Sequence, residues 1–291
     1  MSIGAWILVV GAALAVAAAA MALALAAVDR RFAATVAEEF ARQPLRPAAP
    51  LQAADLAHLP AAVQGCITAS GAVGQPRVQN LRITFDALMQ QSATSRPMPS
   101  RTLQFNFVAE PARHFYLRTR LFGIPTRVVH SYSQAQATMR VYLAGLIKVV
   151  DIAGPALSAT ETATLLNDLC LFAPGALVDP RLAWRELGPR QVEVSFRNAP
   201  HGVKAVLTFD EQDRLVDFVT GDRGELQRDG SLLMLPWSTP LRDHRMVRGH
   251  RLPGYGEAIF RREHGRYAYG RVTLLDVDYT VPAPGPGQAT G

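Results

Sequence analysis

Lysine is almost absent from this sequence of 291 residues, and nearly all of its basic side chains are arginine. Only Lys148 and Lys204 are lysines among 30 basic residues. The formal net charge is +6, but the arginines are spread along the chain and accompany no recognised nucleic-acid-binding module. The sequence therefore predicts no nucleic-acid partner, since a GC-rich coding sequence explains the arginine excess equally well.

Cysteine is equally scarce, and the patterns that hold metals or cofactors are missing. The two cysteines, Cys66 and Cys170, allow at most one disulfide and so indicate neither an oxidising nor a reducing compartment. No His-x-x-x-His or Cys-x-x-Cys pair occurs, and His244 and His250 on extended backbone would lie about 20 Å apart. Nucleophile elbows, phosphate-binding loops and dinucleotide fingerprints are also missing. We expect no metal and no cofactor.

Charged side chains are missing altogether from residues 1–28. About 20 apolar residues cross a bilayer core, so this segment is long enough to span it. A cleaved signal peptide is the alternative, because 22–24 and 24–26 resemble small-residue cleavage sites. However, a basic n-region is missing and the apolar run exceeds the usual length of about 7–15 residues. The sequence predicts an uncleaved single-pass anchor that contacts the membrane through residues 3–28.

The flanking charges leave the side of the membrane open. Arg30, Arg31, Arg42 and Arg46 follow the span and no basic residue precedes it, which argues for a cytoplasmic domain under the positive-inside rule. Large domains can nevertheless translocate regardless of a few flanking charges. We expect the domain on the periplasmic or extracellular side of a bacterial envelope, with the cytoplasmic side as the alternative.

Beyond the anchor, residues 29–55 are predicted as a helical, Pro-rich tether, and residues 282–291 as a flexible tail. Between them, at 56–281, runs that alternate polar and apolar residues are bounded by Gly and Pro and joined by short connections, which indicates a single antiparallel β domain. Helical periodicity appears near 56–70 and 158–172. No crossover helix repeats, so we expect a mainly β fold: a large curved antiparallel sheet, or open barrel, with helices on its concave face.

The central helix carries signals at both ends. Ser158 and Glu161 have the spacing of a capping box, and Pro174 with Gly175 ends the helical pattern. Cys170 lies beside the apolar stripe, and no neighbouring base or cation in the local sequence would form its thiolate. The sequence therefore predicts a structural cysteine in a helix that joins two strand-rich halves.

Two blocks of sequence resemble a known bacterial family. The first reads LNDLCLFAP at 166–174 and DPRLAW at 179–184; the second reads PWSTP at 236–240, GEA at 256–258, YG at 269–270 and DY at 278–279. Over about residues 56–281 the chain resembles an uncharacterised family of membrane-anchored, β-rich proteins of unknown function. The resemblance implies no activity. At the level of fold it implies similarity to the curved half-barrel of lipoprotein carriers.

The anchor, the aromatic strands and the missing catalytic set predict a membrane-tethered, non-enzymatic domain that binds a lipid or other amphipathic ligand on its concave face. The candidate lining residues are Phe105, Phe107, Met139, Tyr142 and Trp237. One alternative is an envelope enzyme with a site assembled from dispersed polar residues, for which the candidates are Asp168, Asp222, Arg223, Glu257 and Tyr269. Another is a structural partner of an envelope complex.

Overall fold

β-Strands dominate the computed structural model, which describes residues 2–92, 94–227, 229–263 and 265–285. The strands are β1 (Asn80–Met89), β2 (Met98–Phe107), β3 (Ala112–Leu121), β4 (Ile124–Ser133), β5 (Gln136–Leu143), β6 (Ile147–Ala153), β7 (Leu182–Gly188), β8 (Gln191–Asn198), β9 (His201–Phe209), β10 (Leu215–Leu226), β11 (Leu232–Ser238), β12 (Leu241–Arg242), β13 (Arg245–Val247), β14 (His250–Leu252), β15 (Tyr255–Arg262) and β16 (Gly265–Tyr279). The mainly β class is confirmed. The last six residues of the predicted tail lie outside the described part.

The helices of the described ranges are α1 (Ile3–Arg42), α2 (Ala61–Ala69) and α3 (Pro155–Phe172), with 3-10 turns at Ala53–Leu56 and Pro174–Val178. The predicted start of the central helix at Ser158 is wrong by one turn. Pro155 occupies the first helical turn, where its missing N–H costs nothing, and Gly154 adopts φ 118° just before it. Ser158 Oγ instead accepts a hydrogen bond from the Ala137 backbone N–H at 2.9 Å, which fastens α3 to β5.

The sheet is a single antiparallel structure in which the first and last long strands meet. Its order is β6-β5-β4-β3-β2-β1-β16-β15-β11-β10-β9-β8-β7, β12 pairs with β15, and β13 with β14 forms a separate hairpin. β1 pairs with both β2 and β16, so two meanders spread from the centre in opposite directions. α3 lies between these two halves in the chain, as the sequence predicts.

The sheet curls so strongly that distant strands touch. Adjacent strands are each rotated by about 20–25°, and this twist accumulates over many strands. Asn198 at the end of β8 donates to Tyr132 Oη on β4 at 2.7 Å, and His201 Nε2 lies 3.0 Å from the Ala135 carbonyl oxygen. The predicted curved sheet is confirmed.

α3 fills the concave face of this sheet. Fifteen of its eighteen residues are buried, and it contacts β5 and β6 from one half as well as β9 and β10 from the other. Its apolar residues join a core that includes Ile83 of β1 and Phe218 of β10. The predicted central helix is confirmed, and it occupies the interior where the sequence suggested a ligand.

α1 packs on the opposite, convex face. Its docked stripe of Val28, Phe32, Val36 and Phe40 contacts Leu103, Phe105, Phe107, Ala112 and Tyr116. β2 is therefore covered on both faces: Phe105 and Phe107 point toward α1, whereas Gln104 and Asn106 point toward α3. Residues 29–42, predicted as part of a tether, are helical and packed against the sheet.

Candidate functional site

α1 is one helix with two different environments. Residues 3–23 are exposed or half-exposed, and this stretch is long and apolar enough to cross a membrane. From Ala24 onward the helix approaches the sheet, and Val28 is the first buried residue. The exposed stretch has 21 residues, which at 1.5 Å per residue measures about 31 Å and matches a bilayer core of about 30 Å.

The turn between β5 and β6 touches α1 where the exposed stretch ends. Gly145 in this turn has φ +74° and packs so closely that an added Cβ would lie 2.5 Å from the Leu25 backbone nitrogen. Only glycine fits this combination of left-handed backbone and close approach. The contact holds the C-terminal end of the exposed stretch of α1 against one end of the sheet.

A groove of about 910 Å³ opens on the convex face beside this contact. Leu25 forms part of its wall, and Ala87, Leu88, Pro99 and Pro125 add further apolar surface. Five arginines from four strands complete the lining: Arg101, Arg118, Arg120, Arg127 and Arg271. A space of this volume is typical of small-molecule sites, which combine apolar walls with a few charged groups.

Two carboxylates meet this set of arginines. Asp29 of α1 accepts a hydrogen bond from Arg127 Nε at 3.1 Å, and Arg118 Nη2 lies 3.7 Å from the same carboxylate. Asp86 accepts from Arg101 at 3.2 Å. The Asp29 pairs tie α1 to the sheet, whereas the Asp86 pair joins β1 to β2. Five guanidinium groups outnumber these two carboxylates, so the groove carries an excess of positive charge.

The remaining two arginines of the groove bond to uncharged oxygens. Arg120 donates to the Gly123 carbonyl oxygen at 3.0 Å, and Arg271 donates to Gln90 Oε1 at 2.7 Å. Neither of these bonds involves a carboxylate, so neither neutralises the charge of its guanidinium group. Such groups can donate bidentate hydrogen bonds to a phosphate or carboxylate ligand.

The sequence-predicted polar candidates lead to a second feature, a buried ionic network beneath α3. Asp168 accepts hydrogen bonds from Arg113 Nε at 2.7 Å and from Gln104 Nε2 at 2.8 Å. Arg113 also lies 3.8 Å from Glu161, which accepts from Arg223 at 2.5 Å. Two carboxylates and two guanidinium groups thus alternate through the interior.

The charges in this network hold Glu161 ionised. Burial alone would raise the pKa of its carboxyl, but His130, Arg223 and Arg113 outweigh burial and lower this pKa to about 2. Burial lowers the pKa of His130 to about 4, so its imidazole is neutral at pH 7 and the guanidinium groups compensate the carboxylate. The two carboxylates, Glu161 and Asp168, are thus balanced in charge by Arg113 and Arg223.

Of the five catalytic candidates, the structure brings three together. Asp168 and Arg223 belong to the network, and the Tyr269 hydroxyl joins it as the acceptor of a 3.2 Å hydrogen bond from Trp237 and as a partner of Arg223. Asp222 lies apart and accepts from the Lys204 backbone N–H. Glu257 also lies apart and accepts from the Tyr255 hydroxyl. The three that converge are packed among protein atoms.

The five predicted ligand-lining residues divide between the two faces of the sheet. Phe105, Phe107 and Tyr142 belong to the cluster around α1, whereas Met139 and Trp237 pack in the core around α3. They do not line one common space. The arginine-lined groove has a volume of about 910 Å³, whereas a crevice beside Cys170 has a volume of only about 20 Å³.

Both cysteines are buried free thiols in the structure. Burial raises the pKa of Cys66 to about 12 and raises the pKa of Cys170 as well. A thiol with a raised pKa is a poor nucleophile, so both cysteines are structural in character. Within the described ranges, no three His, Cys, Asp or Glu side chains converge as metal ligands.

Sequence reasoning missed the groove, although one signal was present. Arg118 and Arg120 are two residues apart on β3, so both side chains emerge on the same face. Arg127 follows on the next strand and pairs directly with Arg118 in the β3–β4 register. The pattern predicts a cationic strip, but only the docking of α1 turns the strip into a groove.

Acidification from pH 6.5 toward 4 is expected to destabilise the fold through His130. Its folded-state pKa is lowered from 6.5 to about 4, so the unfolded chain binds the proton first. Above pH 6.5, His130 is neutral in both the folded and the unfolded chain and does not lower the free energy of unfolding. Below pH 6.5, the free energy of unfolding falls by up to about 1.4 kcal/mol per pH unit. His130→Gln should flatten this part of the stability curve in denaturant titrations of the full chain in detergent. The exposed His58→Gln should not, and equal slopes for the two variants would contradict the assignment.

The structure thus defines a curled antiparallel sheet with a helix on each face, one of which extends into an exposed apolar segment. The chain belongs to DUF6544, a family of unknown function, which it matches over residues 49–272. The resemblance to an uncharacterised family is thereby confirmed. A search of curated proteins finds no match to this sequence.

Two solved structures show low similarity to this chain. One is described as an outer membrane lipoprotein-sorting protein domain from Vibrio parahaemolyticus; it has a TM-score of 0.41 and 12% identity, covering 69% of this chain and 86% of that one. The other is a LolA superfamily protein from Nitrosomonas europaea, with a TM-score of 0.40 and 9% identity, covering 70% of this chain and 87% of that one. These values are too low to transfer an activity or ligand.

Proposed function

We propose that this protein is a membrane-tethered, non-enzymatic domain that binds the head and adjoining apolar part of an anionic lipid. The observation that supports this most directly is the position of the groove. Its wall includes Leu25, which lies two residues beyond the end of the exposed apolar stretch of α1. A ligand in the groove would therefore lie at the level where lipid headgroups begin.

The tether follows from the length and exposure of α1. This 21-residue apolar stretch packs little against the other described residues. Its length of about 31 Å fits the hydrocarbon core without requiring a large tilt. The docked half of the same helix would then hold the sheet directly at the membrane surface.

The lining of the groove matches an anionic amphipath. Leu25, Leu88 and Pro125 supply apolar contact, and the arginines supply donors for a phosphate or carboxylate. Basic clusters beside a membrane span attract anionic lipids by about 1 kcal/mol for each side chain near the surface. The concave face, where the sequence suggested the ligand, is covered by α3, so the groove is the open site.

The proposal predicts that three arginines control the preference for anionic lipid. Arg101, Arg120 and Arg271 lie outside the Asp29 cluster, so their combined replacement by glutamine should leave α1 docked. Purified full chain in neutral detergent should bind short-chain phosphatidylglycerol more tightly than short-chain phosphatidylcholine. The triple variant should lose about ten- to hundredfold in affinity for the former, given the attraction of about 1 kcal/mol per arginine. Native mass spectrometry and titration measure the affinities for the two lipids.

The matched control replaces Arg185, Arg190 and Arg197 by glutamine. These arginines are exposed on β7, β8 and their connecting turn, and the control removes the same net charge. It should keep the preference for phosphatidylglycerol. Equal affinity for the two lipids in the unmodified chain, or equal losses in the two triple variants, would refute the proposal. Inorganic phosphate as a third probe separates recognition of the headgroup alone from recognition of the whole lipid.

A further inference from the structure

Three hairpin turns gather at the end of the sheet where α1 becomes exposed. They connect β1–β2, described at 90–92 and 94–97, β3–β4 at 122–123 and β5–β6 at 144–146. Antiparallel pairing of these neighbouring strands places the three turns at the same end of the sheet. Gly145 in the third turn touches α1 at Leu25. The opposite turns, at 108–111 and 134–135, lie toward the other end of α1, where Gln43 donates to the Glu110 carbonyl oxygen at 2.9 Å.

The turns near Leu25 expose large apolar side chains. Phe122 is 89% exposed and Leu146 is 62% exposed. Ile124, Ile147 and Val149 beside them are also exposed, and we call these five residues the apolar rim. In contrast, none of the large apolar side chains that are exposed in the described residues belongs to the turns at 108–111 or 134–135. Among the turns that connect β1 to β6, the exposed large apolar side chains therefore lie toward the exposed part of α1.

Phe122 is in addition a poor residue for the backbone that it occupies. Its φ is 51°, and Gly123 follows with φ 81°, so both central residues of this two-residue turn are left-handed. Turns of this kind favour Asn-Gly, because asparagine tolerates positive φ better than a bulky side chain does. The aromatic ring thus gains nothing from the turn and contacts little of the protein. Its placement points to an apolar environment outside the chain.

The position of the rim along α1 identifies that environment. The 21-residue exposed stretch equals the thickness of a bilayer core, and it ends at the residues that the β5–β6 turn touches. When α1 spans the membrane, the rim therefore reaches the boundary between hydrocarbon and headgroups. Arg120, two residues before Phe122, is exposed and is suited to the anionic headgroup layer.

We propose that the apolar rim inserts into the interface of the same bilayer that α1 crosses, as a second point of membrane attachment. Aromatic and aliphatic side chains at this depth leave water, while the arginines behind them stay among the phosphates. Two attachments would fix the rotation of the sheet about α1 and turn the groove toward the lipids. This inference rests on the proposed membrane tether, but it does not require the groove to hold a lipid.

Site-directed spin labelling of the full chain tests the rim. Cysteine replaces Phe122 or Leu146, each carries a nitroxide, and the protein is reconstituted in vesicles of phosphatidylcholine and phosphatidylglycerol. Both labels should collide more often with apolar oxygen than with a water-soluble nickel complex. Ala109→Cys, an exposed site in the opposite turn at 108–111, should show the reverse order. The unmodified chain, whose two cysteines are buried, gives the background.

A label at Leu14→Cys separates failure of the rim from failure of the tether. Leu14 lies in the middle of the exposed stretch and should give the deepest signal. If Leu14 is deep while Phe122 and Leu146 resemble Ala109, the rim is refuted and the tether remains. A water-accessible Leu14 would refute the tether and the rim together. Protection of the rim labels from both reagents, relieved by dilution into excess lipid, would show that a second copy of the chain covers the rim and would overturn the inference.

Discussion

Glu161→Ala is expected to lower the free energy of unfolding by about 3–5 kcal/mol, as for other buried ion pairs that lose one partner. The carboxylate is 1% exposed and is shared by Arg223 and Arg113, with His130 Nε2 3.4 Å away. Its removal leaves two buried guanidinium groups facing a cavity. Glu161→Gln keeps the volume and one acceptor oxygen, so it should be less damaging than alanine while still removing the charge.

Denaturant titration of the full chain in detergent measures this loss. Trp237 reports on it, because the Arg223 guanidinium lies 5.2 Å from the centre of the indole ring. The matched control is Glu193→Ala, which breaks a pair with the exposed Arg185 and should leave the unfolding midpoint nearly unchanged. Similar midpoints for the Glu161 and Glu193 variants would show that the buried network is not a determinant of stability.

Phe32→Ala is expected to weaken the docking of α1 and to cost about 3–5 kcal/mol, the usual range for deleting a buried aromatic side chain. Phe32 is 1% exposed, and its ring stacks on Tyr116 with centroids 4.7 Å apart. Asp29, which pairs with two arginines of the groove, lies one helical turn away. The variant should therefore melt at lower temperature and become more sensitive to trypsin at Arg31.

The same helix provides the control. Leu14→Ala removes an exposed apolar side chain from the undocked part of α1 and should leave both the melting temperature and the cleavage rate unchanged. The comparison separates a loss of apolar surface in general from a loss at the α1–sheet contact. Equal melting temperatures for Phe32→Ala and the unmodified chain would mean that α1 docks independently of this cluster.

Local patterns in the sequence predicted much of the sheet, because the period of a strand and the chemistry of its turn are local properties. Alternating runs such as 103–107 lie within observed strands, and Asp229 with Gly230 falls in the turn between β10 and β11. The start of α3 was misplaced because Ser158 and Glu161 have capping-box spacing, yet both are needed elsewhere. Ser158 binds β5, and Glu161 holds Arg223.

The candidate sites depended on information that no single segment contains. Alternation in β2 shows that Phe105 and Gln104 lie on opposite faces, but it does not show which face meets which helix. The answer depends on α1, which begins about a hundred residues before its contacts on β2 and covers Phe105 and Phe107, two of the residues that sequence reasoning had assigned to a ligand. The groove likewise needs β1, β2, β3, β4 and β16 together with α1, so its arginines become neighbours only in the folded chain.

The meeting of β1 and β16 at the centre of the sheet has a consequence for synthesis of the protein. β1 is made early, but its second partner is β16, the last strand of the described fold, and Leu81 pairs with Tyr279. Until that segment emerges, the two meanders are separate sheets, and the inner edge of each offers unpaired backbone groups to other chains. β16 therefore closes the sheet, and the two inner edges stay open to pairing with other chains until β16 has been synthesised.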